Sequence, residues 1–159
     1  MRIRLVTVGK IKEKYLQAGM DEYLKRLGPY AKVELATLPD EPIPDNASPA
    51  QEEQVKQREG ERILKALDAG QHVIVLDSRG REFSSEEFAE FLGERGLRGQ
   101  SSLAFVVGGS LGLDRAVLER SDTKLSLGRM TLLHQMVPLI LLEQIYRGFK
   151  INRGEPYHK

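Results

Sequence analysis

Short apolar segments rich in β-branched residues alternate along this chain with segments of helical periodicity, and this alternation constrains the fold more than any other feature. Strands that alternate with helices form βαβ units, which build a mainly parallel sheet. We therefore predict an α/β fold, a mainly parallel sheet of about five strands with helices on both faces. The predicted strands are residues 3–8, 33–38, 72–76, 103–107 and 125–127, and the predicted helices are residues 12–27, 50–68, 84–96, 114–120 and 134–149.

The length and composition favour one globular domain over residues 1–159. The chain is 40% hydrophobic and 30% charged, and it has no internal repeat and no long linker. The absence of cysteine excludes a disulfide scaffold and a thiol nucleophile. The N-terminus lacks the apolar segment of a signal peptide, and residues 130–142, the longest stretch without a charge, are too few to cross a membrane. We expect a cytoplasmic protein that does not enter a membrane.

The net charge of +1 conceals an uneven distribution. Residues 40–61 carry seven acidic and two basic side chains, whereas residues 2–14 and 147–159 are rich in lysine and arginine. Two interpretations stay open. The charges are either the solvated faces of helices or an electrostatic surface for an anionic partner.

The predicted last helix, residues 134–149, is apolar around its whole circumference rather than along one stripe. Such a helix must be buried on all sides. One sheet covers one face of a terminal helix, so we predict that a second copy covers the other and that the protein is a homodimer through this helix. Plain burial within one chain is the alternative. The apolar residues are Met136, Val137, Leu139, Ile140, Leu141, Leu142, Ile145, Tyr146 and Phe149.

Two loops that contain glycine follow the last predicted strands. Residues 108–112 read Gly-Gly-Ser-Leu-Gly, and Gly128 follows the strand at 125–127. Ligands of open α/β sheets bind at the carboxyl ends of the strands, where glycine lets the backbone approach them. No dinucleotide or phosphate-loop motif is present. The sequence favours a ligand held by backbone groups, with ordinary turns as the alternative.

The first glycine loop also fits the G-x-S-x-G pattern of a hydrolase nucleophile, which would be Ser110. His158 follows downstream, and Asp114, Asp122 or Glu143 would complete a triad. Against this, the helix that should follow the serine at once is delayed, and no oxyanion-loop motif precedes it. The three histidines share no metal-ligand spacing, so we expect no metal.

Five segments of the chain together carry a family resemblance. They are residues 106–112, 125–131, 134–136, 142–147 and 157–159. In their order and spacing they resemble one family, the ribosomal large subunit pseudouridine N3-methyltransferases of the SPOUT α/β-knot superfamily. The resemblance covers the whole chain. Leu133 and Pro138 depart from it, since the family commonly has proline and arginine there.

The resemblance implies a C-terminal trefoil knot, a homodimer, and S-adenosylmethionine bound in a bent form by the backbone of three loops. It also implies the substrate, a pseudouridine in the helix 69 stem-loop of 23S rRNA on the assembled ribosome. Carried over by position, the cofactor-binding residues are Leu76, Gly108, Leu127, Gly128, Arg129, Met130, Thr131 and Leu132.

The C-terminal residues are the candidates for chemistry on RNA. We expect the segment after the last helix to add little to the core. His158 is the candidate general base that removes the N3 proton, with an RNA contact as its equal alternative. Tyr157 either stacks on a base or packs within the protein. Arg147 joins His158 and Tyr157 as a candidate catalytic residue, and the candidate RNA-binding cations are Lys150, Arg153 and Lys159.

Three function classes follow. The first is a methyltransferase that acts on rRNA, the second is a serine hydrolase that uses Ser110, and the third is a ribosome-binding factor without catalysis.

Overall fold

The computed structural model describes Met1–Lys159 as five strands and five helices in alternation. The strands are β1 (Arg2–Val8), β2 (Lys32–Leu38), β3 (His72–Glu82), β4 (Ser102–Val107) and β5 (Thr123–Ser126). The helices are α1 (Lys14–Leu27), α2 (Pro49–Lys65), α3 (Ser85–Leu97), α4 (Arg115–Arg120) and α5 (Val137–Asn152). The strands form one sheet in the order β2-β1-β4-β3-β5, and every pairing is parallel. The predicted α/β fold is confirmed.

Side chains that alternate along the strands build a hydrophobic core on each face of the sheet. On β1, Ile3 and Leu5 point to one face, while Val6 and Val8 point to the other. The first face is covered by α1, α3 and α5, and the second by α2 and α4. Helices on both faces explain why the central strands are apolar without interruption.

Serine caps fix the beginnings of two helices. The Ser84 hydroxyl accepts a hydrogen bond from the Glu87 N–H at 3.1 Å, and the Glu87 carboxylate accepts one from the Ser84 N–H at 2.8 Å. Ser48 and Gln51 make the same reciprocal pair at α2. The serine and the glutamate three residues later form a capping box, which is the motif that their spacing in the sequence indicates.

The last helix is displaced along the sequence from its predicted position. It begins at Val137 and ends at Asn152, because residues 134–136 form a turn and the Val137 N–H bonds back to the His134 carbonyl at 3.3 Å. Pro138 lies in the first turn, where a missing N–H costs no helical hydrogen bond.

The third strand is longer than predicted and changes register halfway. Leu76 and Arg81 both pair with Leu125 of β5, so the residues between them leave the ladder. Gly80 allows this because a Cβ there would lie 2.6 Å from the Lys124 carbonyl carbon. The detour places Asp77 and Ser78 at the carboxyl edge of the sheet.

The trefoil knot stays a prediction.

None of the helices combines the length and the apolar character that crossing a membrane requires.

The close approach at Gly80 supports a stability prediction. Gly80→Ala should lower the free energy of unfolding in urea by about 1–3 kcal/mol, since the methyl group must displace the backbone of β5. Gly70→Ala is the control, because a Cβ at Gly70 meets nothing within 4 Å. Equal unfolding curves for Gly80→Ala and the wild type would contradict the packing described for the register change.

Candidate functional site

The loop at the register change within β3 and the loops that follow β4 and β5 line a cavity of about 290 Å³, which we call the cofactor cavity. A volume near 300 Å³ is at the lower end of the range for small-molecule sites. The three loops meet because β4, β3 and β5 are neighbours in a parallel sheet. The cavity brings together all eight residues that the sequence predicted for cofactor binding, which are Leu76, Gly108, Leu127, Gly128, Arg129, Met130, Thr131 and Leu132.

Glycine is required at two positions in these loops. A Cβ on Gly108 would lie 2.8 Å from Cδ2 of Leu113, which also lines the cavity. Gly128 has a φ of +127°, a conformation that side chains disfavour. The Ser126 hydroxyl lies 3.2 Å from both the N–H and the carbonyl oxygen of Gly128 and holds that turn. Glycine at both positions therefore brings loop backbone to the cavity wall.

One acidic and one basic side chain line the cofactor cavity. Burial opposes ionisation of Asp77, but hydrogen bonds from the backbone and side chain of Arg79 outweigh it and lower the pKa of the Asp77 carboxyl. Arg129 is exposed and forms no ion pair. The cavity therefore offers a carboxylate that is paired with Arg79 and one unpaired guanidinium, that of Arg129, to a ligand.

A second cavity, of about 400 Å³, lies at the carboxyl ends of β1 and β2, and we call it the β1–β2 cavity. It shares Gly109 and His134 with the cofactor cavity, so the two are neighbours. Lys10, Lys12 and Glu59 are among its other lining residues.

Ser110 lies in the β1–β2 cavity without the partners of a hydrolase nucleophile. It is exposed in a two-residue turn, and α4 begins only at Arg115. His158, its proposed base, bonds instead to Arg147 and Glu86. Because a nucleophile elbow needs a helix directly after the serine, this geometry does not support the hydrolase alternative.

The C-terminal segment packs against its own chain, so the expectation that it adds little to the core is wrong. The Tyr157 ring lies edge-on against Tyr146, with centroids 4.8 Å apart. Its hydroxyl donates to Glu143 at 3.0 Å and lies 2.9 Å from the hydroxyl of Tyr23. Burial and these two bonds raise the pKa of Tyr157. Aromatic packing between residues distant in sequence anchors the segment, and local polarity gave no sign of it.

His158 has both ring nitrogens occupied. Nδ1 lies 3.2 Å from Nη1 of Arg147, and Nε2 lies 2.9 Å from the Glu86 carboxylate. Since a guanidinium can only donate, Nδ1 accepts, and the Nε2–H donates to Glu86. Arg147 also bonds to Glu143, which raises the pKa of the guanidinium. In this docked position His158 has no free lone pair with which to accept a proton.

The three candidate RNA-binding cations differ in their availability. Lys150 is paired with Glu155 at 2.7 Å, and this bond together with Tyr30 raises the pKa of the ammonium group. Arg153 lies 3.9 Å from Glu155 and 4.6 Å from the centroid of the Tyr30 ring. Lys159 is exposed and unpaired. None of these cations, and none of Arg147, Tyr157 and His158, lines the cofactor cavity of its own chain.

Sequence reasoning missed two carboxylates. Asp77 directly follows a predicted strand, which is where such a residue belongs in an open α/β sheet, but the register change that turns it inward depends on pairing with β5. Glu59 lies four residues from both Val55 and Ile63, so it occupies the apolar face of α2. The sequence signal for Glu59 was an acidic residue within the apolar face of a helix, where a charged side chain is rarely buried without a partner.

Known proteins match this chain over all or nearly all of its length. A family model described as "Predicted SPOUT methyltransferase" matches residues 1–158. Proteins named "Ribosomal RNA large subunit methyltransferase H" from Symbiobacterium thermophilum and Carboxydothermus hydrogenoformans are 76% and 60% identical, each over all of both chains. A solved structure, titled as a probable methylase family protein from Haemophilus influenzae Rd KW20, aligns with a TM-score of 0.57. It is 17% identical and covers 99% of this chain and 70% of that one, so it supports the fold alone.

The contacts of Tyr157 generate a prediction. Tyr157→Phe should lower the free energy of unfolding at pH 7 by about 1 kcal/mol, because it keeps the ring but removes two hydrogen bonds. A group with a raised pKa in the folded state contributes stability below its ordinary pKa of about 10 and loses it as the pH rises. Wild-type stability should therefore fall more steeply above pH 10 than that of the variant.

Tyr15→Phe is the control, since Tyr15 is 63% exposed. Urea unfolding at several pH values measures all three proteins. If Tyr157→Phe is no less stable than Tyr15→Phe, the docked C-terminal segment is not anchored as described.

Proposed function

The chain belongs to the SPOUT methyltransferase family, and from that premise we propose that it methylates N3 of a pseudouridine in the helix 69 stem-loop of 23S rRNA, on the assembled ribosome. The observation that carries the proposal is the cofactor cavity, which gathers the residues of all three loops expected to hold S-adenosylmethionine. The names of the full-length relatives support rRNA of the large subunit as the substrate. The proposal includes a single domain over residues 1–159 that acts in the cytoplasm.

The residues of the cofactor cavity fit S-adenosylmethionine. Leucine side chains and exposed loop backbone suit the adenine ring, while Asp77 and Arg129 suit the charges of the methionine part. When bound, this cofactor supplies a methyl group on a positively charged sulfur. Asp77 is the residue whose fixed negative charge stabilises a cation there.

Methyl transfer to N3 forms a nitrogen–carbon bond as the carbon–sulfur bond breaks, and the N3 proton must leave. We assign its removal to His158, with Arg147 and Tyr157 as its neighbours. Because both ring nitrogens of His158 are engaged and the residue lies outside the cofactor cavity of its own chain, it must leave its docked position to act, either at that cavity or at the cavity of a partner subunit. Lys150, Arg153 and Lys159 would contact RNA phosphates.

The apolar surface left uncovered in one chain supports a homodimer through α5. Leu141, Leu142 and Ile145 are buried within the chain, and α1 covers Leu139 at Gly19. Four of the eight large apolar residues that are exposed lie instead in the segment just before the helix, where a second copy would cover them. They are Met130, Leu132, Leu133 and Met136.

Transfer of tritium from labelled S-adenosylmethionine to ribosomes that lack the modification tests the proposed reaction. We expect one methyl group per ribosome, located at the target pseudouridine by primer extension. A protein that binds the cofactor without transfer to ribosomes would contradict the proposed substrate. Failure to bind it would instead favour the ribosome-binding factor without catalysis.

Met136→Glu tests the proposed dimer. Burial of an unpaired carboxylate at the interface should weaken association by several kcal/mol, so light scattering should report a monomer. Leu97→Glu is the control, because Leu97 is 91% exposed at the far end of α3. This variant should stay dimeric. A wild-type monomer at micromolar concentration would contradict the proposed dimer directly.

A further inference from the structure

Glu59 is a buried carboxyl group that the fold leaves half satisfied. The residue is 5% exposed, and burial raises the pKa of its carboxyl. Oε2 accepts a hydrogen bond from the Glu41 N–H at 3.0 Å, whereas Oε1 accepts none from the protein. The nearby arginines, Arg58 and Arg62, pair with the Glu41 side chain instead. Oε1 therefore keeps its acceptor capacity open to the cavity that Glu59 lines, where a ligand can bind it.

The position of Glu59 places that ligand beside the reaction. Glu59 lines the β1–β2 cavity, and a Cβ added to Gly109 would lie 2.8 Å from its Oε1. Gly109 and His134 are shared with the cofactor cavity. A methyl acceptor must lie next to the methyl donor, and the β1–β2 cavity adjoins the donor site.

The mouth of the β1–β2 cavity suits a nucleotide. Lys10 and Lys12 are exposed there, and neither forms an ion pair, so both are free to bind phosphate. Two further acids line the cavity. Glu41 is neutralised by Arg58 and Arg62, and Asp40 is exposed to solvent.

Pseudouridine differs from uridine in one hydrogen-bond donor. Its ribose is attached through carbon, so N1 keeps a hydrogen, whereas N1 of uridine carries the ribose. N1–H and N3–H flank the same carbonyl and point to different sides of the ring. A base whose N3 faces the cofactor cavity therefore directs its N1–H elsewhere, to a wall of its own site.

We propose that the β1–β2 cavity receives the target base and that Oε1 of Glu59 accepts the N1–H of pseudouridine. This inference rests on the proposed function and adds a specificity-determining residue to it. A site built to bind an N–H group discriminates strongly against an analogue that lacks it, because the buried acceptor is then left unpaired.

Glu59→Gln provides the test. The Glu41 N–H donates to the oxygen of the new side-chain amide at position 59, so the NH2 group of that amide turns toward the base. Two hydrogen-bond donors, this NH2 group and the N1–H of pseudouridine, then face each other. Single-turnover methyl transfer should be measured on ribosomes with pseudouridine or with uridine at the target. We expect the rate on pseudouridine to fall by about tenfold to a hundredfold and the slow rate on uridine to stay unchanged. The preference for pseudouridine should fall by the same factor.

Glu61→Gln is the matched control, because Glu61 is exposed on the same helix and the charge change is identical. It should keep the wild-type preference. Thermal unfolding of Glu59→Gln should match the wild type or exceed it, since a neutral amide is cheaper to bury than a carboxylate.

Three results would overturn the inference. Equal loss on both substrates would give Glu59 a structural role, and weaker binding of S-adenosylmethionine in calorimetry would assign it to the cofactor. An unchanged preference in a folded Glu59→Gln variant would remove any role in recognition. If the wild-type protein methylates neither kind of ribosome, the proposed function itself is contradicted, and this inference is lost with it. That outcome differs from the three above because it appears already in the wild-type protein.

Discussion

The parallel pairing of β3 with β4 on one side and β5 on the other is the constraint on which the site depends. It brings the carboxyl ends of three strands to one edge, although their residues are far apart in sequence. The register change against β5 then turns Asp77 into the cavity, and it requires a residue without a side chain where Gly80 meets the Lys124 backbone. Hydrogen bonds of the sheet thus position the backbone that would hold a ligand.

The elements that sequence predicts well are those with a local physical cause. Short apolar segments rich in β-branched residues identified all five strands, and the spacing of Ser84 and Glu87 identified the start of α3. The glycine loops could be located because ligand sites of open α/β sheets follow the strands. The assignment of eight individual residues needed more than periodicity, since it came from the family resemblance.

The features that sequence reasoning missed depend on contacts between distant residues. No local pattern shows that Tyr157 finds Tyr146 and Tyr23, or that β3 continues past its apolar segment to pair again with β5. The end of α5 was misplaced for a related reason, because its last turn packs against α3 through Asn152, whose amide donates to the Ala89 carbonyl at 2.8 Å.

Apart from Lys159, the cations at the C-terminal end of the chain are paired internally, with Glu86, Glu143 and Glu155. These pairs are for the most part partly buried, so RNA phosphates would have to replace the carboxylates as partners of the same cations. The anchor to be overcome is Tyr157, which is packed as well as hydrogen bonded. The proposed RNA-binding side chains of this segment would therefore have to leave their docked positions before they contact the substrate.

Hydrogen–deuterium exchange with and without S-adenosylmethionine reports directly on the proposed binding, because a cofactor held by the backbone of three loops protects the amides of those loops. Amides within residues 76–78, 108–113 and 127–132 should exchange more slowly with the cofactor present, while those of 37–43 should not change. Protection confined to 37–43, or spread evenly over the sheet, would contradict the placement of the cofactor at the carboxyl ends of β3, β4 and β5.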